Sequence, residues 1–237
     1  MLAKEEFQRY LKQILLDDIG LYGQNKLKEA KVAVIGAGGL GCPVLQYLCA
    51  AGIGHLGIID FDVVEESNLH RQILYGQTDI GLKKVQAAYK RLSEQNPNTI
   101  FDIHDCVVTE DNAWQLLKDY DFVVDGCDNF ATRYAVNDAC VSLGKPLVYG
   151  SILGYMGQLA GFNIGGSKNL RNLFPEPPNP EDVPSCSENG VLGTVPGIVG
   201  TIMAQMTIDM VLGRFEFRDQ FILLNTRTLE RTVLHIT

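Results

Sequence analysis

The chain has 237 residues, 46% of them apolar, and a formal charge of −8. That length suits one α/β domain better than two, and the apolar content allows a large core and excludes global disorder. The acidic balance, without a lysine or arginine cluster, makes nucleic-acid binding a poor reading.

The polar, amphipathic opening is unlike a signal peptide, and its Phe7, Leu11, Ile14 and Leu15 share one face of a helix expected from Lys4 to Leu15. A second short helix is expected from Gln24 to Glu29. "KVAVIGAGGLG" reads as a β-branched strand, a glycine loop and a helix starting at Leu40. "HLGIIDFD" is a strand ending at Asp60. Lys83 to Gln95 reads as a helix stopped by Asn96-Pro97. "IFDIHD" is a third strand, "DNAWQLLKDY" a helix, and "DFVVDGCDN" a fourth strand running into a loop. "RYAVNDACVSL" is a helix stopped at Gly144, and "PLVYGSIL" a fifth strand. After Gly154 "YMGQLAGFNI" turns back as a strand, followed by the proline-rich "FPEPPNPEDVPSCSENG". An apolar helix from Val195 to Leu212 and a hairpin in "QFILLNTRTLERTVLHI" close the chain.

Strands alternating with helices predict a Rossmann-like, doubly wound and mostly parallel α/β sheet, with an antiparallel C-terminal extension. Ligands bind beyond the carboxyl ends of the strands in such sheets. No apolar run is expected to span a membrane. The six cysteines Cys42, Cys49, Cys106, Cys127, Cys140 and Cys186 form no C-x-x-C pair, so neither a zinc ribbon nor a disulfide framework is indicated. Reduced, mostly buried thiols in a cytoplasmic protein are the simplest expectation.

Gly36, Gly38 and Gly41 form G-x-G-x-x-G between strand and helix, with Gly39 beside them. Glycines there let the backbone approach phosphates and offer N–H groups at a helix N-terminus. Asp60 ends the next strand, where a carboxylate accepts from both ribose hydroxyls. This pattern signals a nucleotide but does not choose NAD over ATP. Just past Asp60 and Asp62 come Asn68, Arg71 and Gln72, and Lys84 opens the following helix. An arginine and a lysine near a phosphate loop suit a triphosphate, although either alone reads equally well as a solvated residue. Asp128 follows the fourth strand. There it holds Mg²⁺ against phosphate oxygens, or caps the helix containing Arg133.

The stretches "VIGAGGLG", "DFDVVEESNLHRQIL", "GLKKVQAA", "DGCDNFATR" and "SCSENGVLGTVPGIVG" occur in order along nearly the whole chain. Together they resemble the ThiF/MoeB/HesA family, bacterial relatives of ubiquitin-activating enzymes, and the opening "RYLKQILLDDIG" is close to a ThiF-type start. The resemblance implies adenylation by ATP of the C-terminal glycine of a ubiquitin-like sulfur carrier protein of the ThiS or MoaD type, in sulfur transfer toward thiamine, to which the ThiF-type start points, or toward molybdopterin, cysteine or another sulfur-dependent product. By position, Asp60 binds ribose, Arg71 and Lys84 hold phosphates, Asp128 places Mg²⁺, and Asn68, Gln72 and Asn129 support the pocket. It implies a homodimer too, in which a basic residue reaches the partner's ATP. The family's R-Y-x-R-Q is here "RYLKQ", so Lys12 stands where an arginine is usual. A zinc site is not expected: the family's first cysteine pair is replaced by "NLRN", Asn169 to Asn172, and the second is missing. Cys186, near Ser185, Ser187 and Asn189, falls in a crossover loop at about 165–192 and is assigned a sulfur-transfer or thioester step. The implied organisation is one adenylation domain: N-terminal helices (1–30), a nucleotide-binding part (31–154) and a carrier-binding part (155–237). An NAD-dependent oxidoreductase and a non-catalytic scaffold of the same fold are the competing readings.

Overall fold

The computed structural model describes residues 2–179 and 190–237. Five strands run parallel: Lys31–Ile35 (β1), His55–Ile59 (β2), Ile100–His104 (β3), Phe122–Asp125 (β4) and Leu147–Leu153 (β5). Met156–Phe162 (β6), Gln220–Asn225 (β7) and Arg231–His235 (β8) extend the sheet antiparallel. Among the described residues the order is β3-β2-β1-β4-β5-β6-β7-β8. The chain winds outward from β1 in one direction through β2 and β3, then returns to add β4 on the other side. That reversal opens a crevice at the carboxyl ends of β1 and β4. The expected architecture is present, with both its parallel and its antiparallel part.

The helices are Lys4–Ile14 (α1), Gly20–Glu29 (α2), Gly41–Ala51 (α3), Lys84–Gln95 (α4), Glu110–Leu117 (α5), Phe130–Leu143 (α6), Leu170–Leu173 (α7) and Thr194–Leu212 (α8). β1 is buried on both faces, which is why it reads as a continuous β-branched run. Val32 and Val34 pack with Leu45 and Leu48 of α3 and Val199 and Met203 of α8. Ala33 and Ile35 meet Ala113 and Leu117 of α5 and Val136 and Cys140 of α6. Each valine, leucine, isoleucine or methionine among them contributes about 1.5–3 kcal/mol by leaving water.

Two expectations change most, while α6 begins at Phe130 rather than Arg133 and α5 ends at Leu117 rather than Tyr120. α2 begins at Gly20, not Gln24: its first turn packs against the end of α8, so closely that a Cβ on Gly23 would lie 3.0 Å from a Leu212 methyl. Second, α8 has 19 residues and a mean hydropathy of 1.5, long and apolar enough by length and composition to cross a membrane. The sequence reading found no run of that length. α8 lies against α3, β5 and β6, and packing on several sides removes the polar stripe a surface helix needs.

Candidate active site

The glycine loop after β1 is built by two glycines and left open by two others. Gly36 has φ +86°, and a Cβ on Gly41 would lie 1.8 Å from the Gly36 carbonyl oxygen. The turn itself therefore excludes side chains at both positions. At Gly38 a Cβ would meet nothing nearer than Gln72 Nε2 at 3.6 Å, and at Gly39 nothing nearer than Pro196 at 3.2 Å. These two leave bare backbone at the start of α3, whose N-cap Leu40 makes no side-chain cap. The Cys42 N–H is taken by the Gly38 carbonyl at 2.9 Å; the other N–H groups at such a helix start, with the helix dipole, suit an anion.

Ala37 is braced from both sides. Its N–H donates to Asp60 Oδ2 (2.7 Å), and its carbonyl accepts from the buried Tyr75 hydroxyl (2.7 Å). Tyr75 escaped the sequence reading because its partner lies 38 residues away. The Asp62 N–H donates to Asp60 Oδ1 at 2.8 Å. Two amides occupy about half of a carboxylate's four acceptor positions, so Asp60 keeps capacity for two more donors, such as a diol. Burial pushes its pKa up, while the Ala37 amide and nearby Lys84 pull it back.

Lys84 is buried, and its Nζ donates to Asp62 Oδ2 at 2.8 Å. The lysine expected at the phosphates is thus held by a neighbouring carboxylate. Arg71 Nη1 donates to the Ser67 carbonyl at 2.9 Å and lies 2.8 Å from His70 Nε2, while its side-chain stem runs beside Gly39. Gln72 is buried with its amide beside Gly38, and its Oε1 has no hydrogen-bond partner among the described residues. A buried orphan acceptor at the glycine loop suits a ligand bearing donors. Asn68 is buried at the end of a 3₁₀ turn and accepts from the Glu65 N–H at 3.4 Å.

The turn after β4 carries Asp128, exposed at the same edge of the sheet. Asp128 is not the helix cap. Asn129 is, accepting from the Thr132 N–H at 2.9 Å. The sequence expectation gave this cap to Asp128, and the backbone gives it to the next residue. Beneath the turn lies Arg133, a buried guanidinium that sequence reading treated as an ordinary helix residue. Burial acts to lower its pKa, but Asp125, Cys127, Tyr149 and Asp128 together hold it above the ordinary value.

Lys12 is exposed in the last turn of α1. Cys186, with Ser185, Ser187 and Asn189, lies outside the described residues. The "NLRN" corner is a capped turn: Asn169 Oδ1 accepts from the Arg171 N–H, and Asn172 Oδ1 from the Asn169 N–H, both at 2.9 Å. Among the described residues no three His, Cys, Asp or Glu side chains converge to hold a metal ion. Cys42, Cys49, Cys127 and Cys140 are buried free thiols, and burial pushes the Cys42 thiol up to about 12.

A model of the ThiF family matches residues 10–237. The adenylyltransferase and sulfurtransferase MOCS3 of Aedes aegypti is 50% identical over 212 residues, which cover 90% of this chain and 48% of that protein. This chain therefore spans about half the length of that relative. A sulfur carrier protein adenylyltransferase of Thermus thermophilus is 50% identical over 216 residues, covering 89% of this chain and 80% of that protein. The crystal structure of E. coli MccB superposes with a TM-score of 0.85 at 18% identity, over 99% of this chain and 71% of that one. At that identity the likeness concerns the fold.

Proposed function

The chain belongs to the ThiF family, and from that membership we propose that it is an ATP-dependent adenylyltransferase acting on a ubiquitin-like sulfur carrier protein. A carboxylate oxygen of the carrier's C-terminal glycine attacks the α-phosphorus of ATP. The α–β phosphoanhydride bond breaks, giving the acyl-adenylate and pyrophosphate. The observation that carries this reading is the bare backbone of Gly38 and Gly39 at the uncapped start of α3, flanked by Arg71 and Gln72 and one strand from Asp60 and Lys84. The names of the Aedes and Thermus relatives support it. A hydride-transfer reading accounts for the glycine loop and Asp60 but gives Arg71, Lys84 and Asp128 no task.

In this proposal the chain contributes alignment and charge rather than covalent chemistry. Asp60 takes the ribose hydroxyls with its remaining acceptor positions. Lys84 and Arg71 neutralise phosphates, and a phosphate at Lys84 competes with Asp62 for its ammonium group. Asn68, Gln72 and Asn129 shape the pocket. Asp128 would hold Mg²⁺, which when bound offsets the charge on the phosphate oxygens. Two copies form a homodimer in which Lys12 enters the neighbour's site. The acyl-adenylate then serves sulfur transfer toward thiamine or a related sulfur-containing product, with Cys186 in a later step.

The test is carrier-dependent exchange of labelled pyrophosphate into ATP, run beside an NADH-turnover assay. Asp128→Ala is expected to lose exchange by about a hundredfold or more while keeping its melting profile. A folded Asp128→Ala chain with normal exchange removes Asp128 from the site. Wild-type NADH turnover without exchange overturns the adenylation reading. Mixing Lys12→Ala and Asp128→Ala chains should restore exchange toward half of wild type per dimer. No recovery after verified subunit exchange places Lys12 outside the partner's site.

A further inference from the structure

The turn that presents Asp128 is pinned on both sides. On the near side, the Cys127 N–H donates to Asp125 Oδ1 at 3.0 Å, and the Cys127 carbonyl accepts from Arg133 Nη2 at 2.6 Å. Asp125 and Arg133 are themselves an ion pair at 3.5 Å with both side chains buried. Both backbone polar groups of the residue before Asp128 are therefore tied to one buried pair. On the far side, Asn129 is held by its cap on α6, and its carbonyl accepts from the Arg133 N–H at 3.2 Å. Arg133 thus touches the turn twice, through its guanidinium before Asp128 and through its backbone after it.

The same guanidinium reaches another strand. Nη1 donates to the Gly150 carbonyl of β5 at 3.1 Å, and the group stacks on Tyr149 at 4.4 Å from the ring centroid. A planar fork can serve two carbonyls and a carboxylate together, whereas a lysine ammonium on its single stem cannot reproduce that geometry. A structural ion pair needs one carboxylate. It does not need the carbonyl just before a carboxylate at the reactive edge.

We propose that Arg133 is a positioning residue: through the Cys127 carbonyl and Asp125 it fixes the Asp128 turn against β5, in the place from which the carboxylate would hold a divalent cation beside the nucleotide. This rests on the reading of Asp128 as the cation-holding residue. Positioning partners behind a metal ligand typically change metal affinity about 10- to 100-fold when replaced. Loss of the fork therefore acts on the cation more than on the nucleotide.

The experiment measures Mn²⁺ affinity by electron paramagnetic resonance, with a non-hydrolysable ATP analogue present, and analogue affinity without metal. The purified wild-type, Arg133→Lys, Asp125→Asn and Asp128→Ala chains are compared. Arg133→Lys is expected to weaken Mn²⁺ binding about tenfold and to leave metal-free analogue affinity within about twofold. Asp128→Ala should lose Mn²⁺ binding. Asp125→Asn retains an acceptor for Cys127 but not the charge that anchors Arg133, and should weaken Mn²⁺ in the same direction. If Arg133→Lys does not fold, this variant carries the test. Unchanged Mn²⁺ affinity in Arg133→Lys and Asp125→Asn, with Asp128→Ala impaired, overturns the role of Arg133 and leaves Asp128 standing. Unchanged Mn²⁺ affinity in Asp128→Ala overturns both.

Discussion

Two arginine–aspartate pairs involve α6, and they differ in the way that decides their consequence. Arg171 of α7 holds Asp138 through two hydrogen bonds of 2.8 and 2.7 Å, with both side chains about 40% exposed. Arg133 stands 3.5 Å from Asp125, with side-chain exposures of 6% and 0%. The better-shaped pair is the wetter one. In water the Coulomb attraction is screened and two side chains must be ordered to obtain it, so such a pair contributes little. Out of water, losing one partner strands the other charge where nothing solvates it. Burial, not distance, tells which pair the fold depends on. The buried pair is also the one under the turn that carries Asp128.

The largest expected effect tests that contrast directly. Arg133→Met or Asp125→Ala should destabilise the chain by about 3–5 kcal/mol in urea unfolding. The double variant Arg133→Met/Asp125→Leu should recover much of that loss, because neither charge is left alone. Single-variant costs below about 1 kcal/mol would erase the distinction between the pairs. Next, Asp138→Ala should cost about 0.2–1 kcal/mol and leave pyrophosphate exchange unchanged. A cost like that of Arg133→Met would make the α7 corner part of the core.

The smallest effect is a pair of opposed pH slopes. The Arg171 hydrogen bonds hold Asp138 below its ordinary pKa, and burial opposes them in part. A depressed carboxylate stabilises the fold above its unfolded pKa, and that contribution disappears as pH falls through the folded value. The stability difference between wild type and Asp138→Asn should therefore shrink below about pH 4. Asp60 is shifted the other way, by burial. Its contribution is full below the unfolded pKa and fades as pH rises through the folded value. Urea midpoints of wild type, Asp138→Asn and Asp60→Asn between about pH 3 and 7 should show the two differences moving oppositely. Parallel slopes would mean that Asp60 gains more from its two amides than it loses by burial.

The glycine loop and Asp60 were legible because their signal is local. A β-branched run, glycines at a fixed spacing and an acid at the end of the next strand need no knowledge of distant chain. The place of Asp128 just past a strand was legible for the same reason, since "DGCDN" ends one. The cap itself was not: it was expected at Asp128 and lies at Asn129, because both residue types cap well and the turn's backbone decided between them. Tyr75 and Arg133 were illegible for a different reason. Tyr75 meets Ala37, and Arg133 meets Gly150 and Asp125, across gaps that no periodicity encodes.

The alternation of apolar strands and amphipathic helices by itself determined a doubly wound sheet, and with it the edge at which sheets of this kind bind ligands. Short-range sterics and hydrogen bonding suffice for those features, since they act between residues a few positions apart. Tertiary structure alone decided which charges lost their water. α8 reads as apolar all round, and only its packing against α3, β5 and β6 shows where that surface goes. Lys84 reads as a phosphate ligand, and only the fold shows it held by Asp62. Arg133 reads as one charge on a helix, and only the closure of β4, β5 and α6 around it makes it a buried cation. Desolvation depends on every neighbour at once, and those neighbours are brought together by folding.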